Sequence, residues 1–222
     1  MDTVVVDQLL TTTRAVRRKL DLERPVELDV VMECLRIAVQ APTAGTTQNW
    51  RWLVVQDQPT RAALGALFRE VGDAYLRRKA EAAGAQAEDP AFERALASAQ
   101  HLVDVIDRIP VFVIPCMLGR PEGGNDELAV FYGGIFPAIW NLQLALRSRG
   151  LGTTLTTYHL EREADAAAIL GIPDDVTQVA LLPIAYATTD IFRPGPRQPV
   201  EDLTFLDRWD SPLSGPAGHS SR

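Results

Sequence analysis

A chain of 222 residues with 46% apolar and 23% charged residues holds enough hydrophobic material for a substantial core, within ordinary globular composition. Its net charge of −7 and the absence of a basic arm argue against nucleic acid as a partner, because a phosphate polymer requires a basic face. Two cysteines outside any CxxC pair and three scattered histidines give no metal-ligand spacing, so no metal site is expected, and the thiols are expected to stay reduced in a cytoplasmic setting.

The N-terminal MDTVVVDQLL lacks a basic stretch ahead of a long apolar run, so no signal peptide is expected. Residues 7–19 read as a short helix leading into basic sequence, and 20–26 as extended or looped around Pro25. Asp29 is the expected N-cap of a helix over 30–40, with Val31, Cys34, Leu35 and Ala38 on one face. Pro42 ends that helix, and a loop of small polar residues follows to Asn49. RWLVVQ (51–56) reads as a strand. Thr60 is the expected cap of a helix over 61–79, and 80–89 reads as a surface linker. A second helix over 92–107 leads to an apolar, central strand at 110–117. Residues 119–126 form a Gly/Pro/Asn loop. One or two helices follow over 128–149, broken around Gly133, Gly134 and Pro137. Within this stretch Gly133–Leu146 is the most apolar long run of the chain, but Asn141 and Gln143 interrupt it and Arg147 and Arg149 follow, so a core helix is expected, not a membrane span. A glycine stop at 150–152 precedes β-prone TTLTT (153–157). A short helix over 162–170 closes at Gly171 and Pro173, and TQVALLPIAYA (177–187) reads as one strong strand. After Ile191 the chain is proline-rich, and 211–222 is expected to be a disordered tail. About four strands and six or seven helices, not strictly alternating, predict an α+β fold with helices on both faces of one sheet. Residues 1–210 are expected to form a single domain.

Four segments carry residue types suited to chemistry. Arg14, Ala15, Val16, Arg17, Arg18 and Lys19 place guanidiniums four residues apart at an expected helix end. They can clamp a phosphate, or simply form a solvated basic terminus. The loop Pro42-Thr43-Ala44-Gly45-Thr46-Thr47-Gln48 exposes backbone groups and side-chain donors to a heteroaromatic edge, or is an ordinary connection. Gly150 to Tyr158 is a glycine turn leading into a hydroxyl-lined segment that can lie across a flat ring, or is an edge strand. Arg193 to Pro199 is a proline-stiffened stretch in which Arg197 can complete a phosphate clamp begun by Arg14, or is an exposed linker. No Walker lysine and no G-x-G-x-x-G is present.

Taken together, RAVRRKLD, APTAGTTQNW, NLQLALRSRGLG, LGIPDDVTQVALLPIAYA and RQPVEDL resemble, in order and spacing, the motifs of the nitroreductase family over residues 10–205. The resemblance implies a central, mostly antiparallel sheet and an intertwined homodimer holding FMN at its interface. It implies Arg14 and Arg197 on the FMN phosphate and Arg18 near the N1/O2 edge of the ring, where a cation stabilises the reduced anion. Thr43, Ala44 and Thr46 come from the other subunit. Leu155, Thr156 and Thr157 lie along the ring near N5, and Ala15, Val16, Pro42 and Gln48 complete the contacts. Val16 and Thr46 stand where the family has Ser and Asn, Asn49 stands where it has Pro, and Thr157 where many members have Glu. A register one residue shorter puts Thr13 and Arg17 in the two cationic places; the longer one keeps both arginines and Asp21. The implied activity is ping-pong reduction of nitroaromatic, quinone or similar small acceptors by NADPH or NADH, with no dedicated catalytic side chain. Phe131, Tyr132 and Tyr158 are candidate pocket walls, and residues 80–100 are where specificity is expected. The alternatives are a specialised member that removes halogen, cleaves flavin or oxidises a substrate, and a non-catalytic flavin store or sensor.

Overall fold

The computed structural model describes residues 2–43, 45 and 47–213. The chain divides into two units, residues 1–192 and 193–222.

The first unit is built on one antiparallel sheet. Its central strand β2 (Val111–Leu118) pairs with β1 (Trp50–Val55) on one side. On the other side it pairs with β4 (Val176–Gln178) and then β5 (Leu182–Tyr186), and β5 pairs with β3 (Leu151–Thr153). The position of β2 follows from its composition. VFVIPCM is apolar at every position, so the strand has no face to offer water and must be covered on both. Residues alternate between the faces: Val111, Val113 and Met117 enter one core, and Phe112, Ile114 and Cys116 enter the other. The β1–β2 register preserves this sorting, with Trp50 opposite Met117, Val54 opposite Val113, and Leu53 opposite Ile114. A one-residue slip would exchange the faces of the whole strand.

The first core is covered by α2 (Leu28–Ala38) and α6 (Phe136–Ser148). α2 buries Val31, Cys34, Leu35 and Ala38, as its sequence spacing predicts. α6 follows α5 (Asn125–Gly133) after a break at Gly134 and Ile135, with Pro137 in its first turn. The run Asn125–Ser148 is long and apolar enough, by length and composition, to cross a membrane, but Ile135, Ile139, Leu142 and Leu146 lie within the core. Each such side chain contributes about 2 kcal/mol by leaving water. The second core lies under α3 (Gln58–Glu81), α4 (Pro90–Val105) and α7 (Glu163–Leu170). The expected α+β architecture with helices on both faces is therefore the observed one.

Several local expectations shift. The first helix, α1, spans Thr3–Thr12, not 7–19. Asp2 caps it by accepting from the Val4 and Val5 amides, and Thr11, Thr12 and Thr13 fold their hydroxyls back onto the carbonyls four residues earlier. The arginine segment after it is not helical, because the sheet claims its backbone. The Val16 amide donates to the Thr153 carbonyl at 2.9 Å, Asp21 to Tyr186 at 2.8 Å, and Thr188 to Lys19 at 3.0 Å. α2 begins at Leu28, so Asp29 lies in its first turn instead of capping it. α3 is capped by Asp57, whose carboxylate accepts both the amide and the hydroxyl of Thr60. The expected linker shrinks, since α3 runs to Glu81 and a 3-10 turn occupies Gly84–Glu88. The strand expected over 177–187 is two strands, because Leu181 leaves β2 and pairs with Thr156 instead. TTLTT accordingly contributes only Thr153 to β3 (Leu151–Thr153) and an isolated bridge at Thr156.

The second unit contains a 3-10 turn at Val200–Leu203 and a tight reversal in which Phe205 bridges Pro212. The Phe205 and Trp209 rings lie 5.1 Å apart. Most of the tail expected over 211–222 falls outside the described residues, which end at Leu213.

Candidate functional site

Two of the sequence motifs, the basic segment and the segment after Gly150, meet where β3 ends. Gly152 faces away from the first core, and a Cβ there would lie 2.9 Å from Val16 Cγ1 and 2.9 Å from Leu20 Cδ2. That close approach lets the extended basic segment lie flat on β3. Val16 and Leu20 are consequently buried. The chain turns at residues 17–19, leaving Arg17 half-buried and Arg18 and Lys19 exposed.

Beyond β3, Thr156 is held by three bonds to Leu181. Its amide donates to the Leu181 carbonyl at 3.0 Å, it accepts the Leu181 amide at 2.9 Å, and its hydroxyl donates to the same carbonyl at 2.8 Å. Tyr158 then lies against α3 between Phe68 and Tyr75, with ring centroids 5.0 and 5.3 Å away. Gly72 makes room for it, since a Cβ there would stand 3.1 Å from Tyr158 Cδ2 and 2.7 Å from Val103 Cγ2. Two cavities open here, of about 490 and 120 Å³, and share Arg17, Ala99, Thr157 and Tyr158. The smaller is also lined by Leu155, Thr156 and Leu102. The larger extends to Tyr75, Lys79, Leu96 and Glu161. Arg17 makes no ion pair with a carboxylate among the described residues. Burial lowers its pKa from the ordinary arginine value, with a smaller opposing influence from Tyr158. The Tyr158 phenol is pushed up, chiefly by burial.

Of the residues singled out by sequence, the structure brings Leu155, Thr156 and Thr157 to one place, and the cation beside them is Arg17. Arg14, Ala15 and Arg18 are exposed on the same segment, while the Val16 side chain is in the core. Pro42 is exposed and Thr43 half-buried; Ala44 and Thr46 lie outside the described residues. Gln48 is exposed, and its carbonyl accepts from Arg51 at 3.3 Å. Arg197 belongs to the second unit, where its guanidinium donates to the Pro196 carbonyl at 2.9 Å.

The loop before β1 lines a different cavity, of about 340 Å³. Thr47, Asn49, Trp50, Met117, Glu127 and Phe131 are among its walls. Within one chain, the loop and the Leu155–Thr157 segment therefore line separate cavities. Of the aromatic residues expected as walls, Phe131 and Tyr158 line cavities, whereas Tyr132 packs against Phe131 and the first core. The sequence reading missed Tyr75 and Lys79, whereas Leu96 lies in the 80–100 stretch where specificity is expected. The available signal was Gly65 and Gly72, seven residues apart inside a helix: both face close neighbours, Gly65 meeting Asp107.

A curated relative, the iodotyrosine dehalogenase 1 homolog of Caenorhabditis elegans, is 27% identical over 191 residues, covering 82% of this chain and 56% of its own length. The chain thus spans about half the length of that relative. Among solved structures, an oxidized iodotyrosine deiodinase bound to FMN and 3-iodo-L-tyrosine is similar with a TM-score of 0.65 at 17% identity, covering 93% of this chain and 99% of the other. An FMN and NADPH-dependent nitroreductase from Sphigopyxis sp. strain HMH gives 0.64 at 20% identity, with 91% and 99% covered. At these identities the structural likeness speaks for the fold. The model of the Nitroreductase family matches residues 10–186, and this chain belongs to that family.

Proposed function

We propose that the protein is an FMN-dependent oxidoreductase that takes electrons from NADPH or NADH and passes them to a small aromatic or quinone-like acceptor. The observation that carries the reading is Arg17. It is a half-buried guanidinium without a carboxylate partner among the described residues, set against the Leu155–Thr157 segment beside a cavity. A desolvated cation of this kind favours an anionic ligand edge. The surrounding donor set suits FMN: a cation, the Thr157 hydroxyl, and a rigid segment pinned through Thr156. When bound, FMN supplies the hydride-accepting and hydride-donating ring.

In this reading Arg17, in place of Arg18, holds the N1/O2 edge, because Val16 is drawn into the core and leaves Arg17 lining the cavity. Leu155, Thr156 and Thr157 support the ring. Arg14 and Arg197 bind the phosphate, and the loop over Pro42, Thr43, Ala44, Thr46 and Gln48 closes over the flavin of a second copy. The separation of the two cavities within one chain supports that sharing. So does an exposed apolar stripe on α6, where Phe136 and Trp140 stand four residues apart, and on α2, where Met32 and Ile37 are exposed. The free, buried thiols of Cys34 and Cys116 fit a reducing cytoplasm. The identity to an iodotyrosine dehalogenase homolog favours, as a second reading, dehalogenation by the same site.

The test is spectroscopic. The purified protein should be yellow, and anaerobic NADPH or NADH should bleach it. Arg14→Ala combined with Arg197→Ala removes two charge-assisted phosphate contacts and should lower flavin content roughly tenfold or more. Protein that stays colourless with added FMN would overturn the reading, and full flavin content in the double variant would overturn the phosphate assignment.

A further inference from the structure

The larger cavity has a charge asymmetry at its mouth. Its lining mixes polar and apolar surface, the apolar part supplied by Tyr75, Leu76, Leu96 and Tyr158 among others, and three ionised side chains line it: Arg17, Lys79 and Glu161. Glu161 already has a cation, since Arg78 lies 3.8 Å away on α3. Arg17 and Lys79 have no carboxylate partner among the described residues. Lys79 Nζ stands 6.0 Å from the Tyr75 ring centroid and 5.9 Å from that of Phe92, so the ammonium sits beside two aromatic faces at the edge of cation–π range. The arrangement is a partly apolar slot with an exposed lysine ammonium on its lining.

We infer that this cavity selects flat aromatic compounds carrying one negative charge, with Lys79 as the specificity-determining residue. The inference rests on the flavin reading above and assigns the charge preference of that same site. The ring of such a compound packs between Tyr75, Leu96 and Tyr158, and its carboxylate or phenolate replaces water around Lys79. Arg17 is engaged by the flavin edge in that reading, so the charge preference rests on Lys79. A neutral analogue gains the packing without the charge pairing. A cationic analogue is repelled by Lys79, with the negative charge of Glu161 engaged by Arg78.

Calorimetry on the purified holoprotein tests this without turnover, using benzoate, benzyl alcohol and benzylamine. Benzoate should bind about tenfold more tightly than benzyl alcohol. Lys79→Met should weaken benzoate about fivefold, the scale of one partly solvated charge pair, while Lys79→Arg should retain it. Lys79 is exposed near the end of α3, so neither substitution disturbs the core. Equal affinity for benzoate and benzyl alcohol, preference for benzylamine, or indifference of benzoate to Lys79→Met would each overturn the inference. Anaerobic bleaching by NADPH or NADH and reoxidation by a neutral quinone, measured on the unaltered protein, report separately on the flavin reading. Selective benzoate binding without bleaching would overturn that reading alone; bleaching without charge selectivity would overturn only the assignment of Lys79.

Discussion

His159 is fully buried one residue beyond Tyr158, and neither ring nitrogen has a hydrogen-bond partner among the described residues. Burial penalises the imidazolium and lowers the pKa to about 4, against a smaller opposing influence from Glu163. The unfolded chain takes up this proton as pH falls through the ordinary histidine value of about 6.5, while the folded chain does so only near 4. Between those values the unfolded state binds more protons, so stability falls as pH falls. Denaturant unfolding should lose up to about 3 kcal/mol across that window, and His159→Leu should abolish this part of the slope. An unchanged slope in the variant would show that His159 is solvated. Cys116 shows the same physics with the opposite sign: burial pushes its thiol up to about 12, which keeps it neutral and unreactive. Neither environment is legible from one residue and its sequence neighbours, because α3 packs on the turn that carries His159 and strands β1 and β4 flank Cys116, all from elsewhere in the chain.

At the scale of elements, patterning located nearly every helix and strand, and the errors have physical causes. The expected cap of α3 was Thr60, yet Asp57 holds the cap and Thr60 serves it. Both residues are good caps in isolation; Pro59 in the first turn favours the earlier start, since proline suits a position whose amide needs no partner. Asp57→Ala should therefore cost about 1 kcal/mol, whereas Thr60→Ala should cost less, as read from urea midpoints; the reverse order would restore the sequence-based cap. The basic segment after α1 has good helix formers but lies extended, because three backbone bonds to β3, β5 and the residues beyond it outweigh local propensity. That tertiary override also changes the site, since an extended segment presents Arg17 inward and Arg18 outward, which no helical wheel of the same residues shows. The division of 177–187 into two strands has a similar origin, in the bonds between Leu181 and Thr156.

For the whole molecule, the exposed apolar residues are the informative ones. Phe136 and Trp140 on α6, with Met32 and Ile37 on α2, are each more than a third exposed, and a groove lined by Leu9, Ile37 and Leu144 lies between α1, α2 and α6. Apolar surface of this extent marks an interaction face, and the occupant proposed above is a second copy, which in that reading also brings the loop before β1 to a flavin. Light scattering should give close to twice the 24.4 kDa chain mass. Trp140→Glu, which puts a charge at the centre of that face, should shift the protein toward monomer and lower flavin content together. A wild-type monomer with full flavin would remove the shared site.

By itself the sequence determined the class of fold, the central place of the all-apolar strand β2, the buried face of α2 and the family, because these depend on periodicity and on motif order, which are properties of a string. It also pointed to the segment 155–157 and to the basic segment as places for a ligand. Only the tertiary structure decided which arginine faces the cavity, that Val16 belongs to the core over Gly152, and that Tyr75 and Lys79 share a cavity with Thr157. Those facts depend on backbone hydrogen bonds and close approaches between residues far apart in the chain, and local propensity carries no information about such partners.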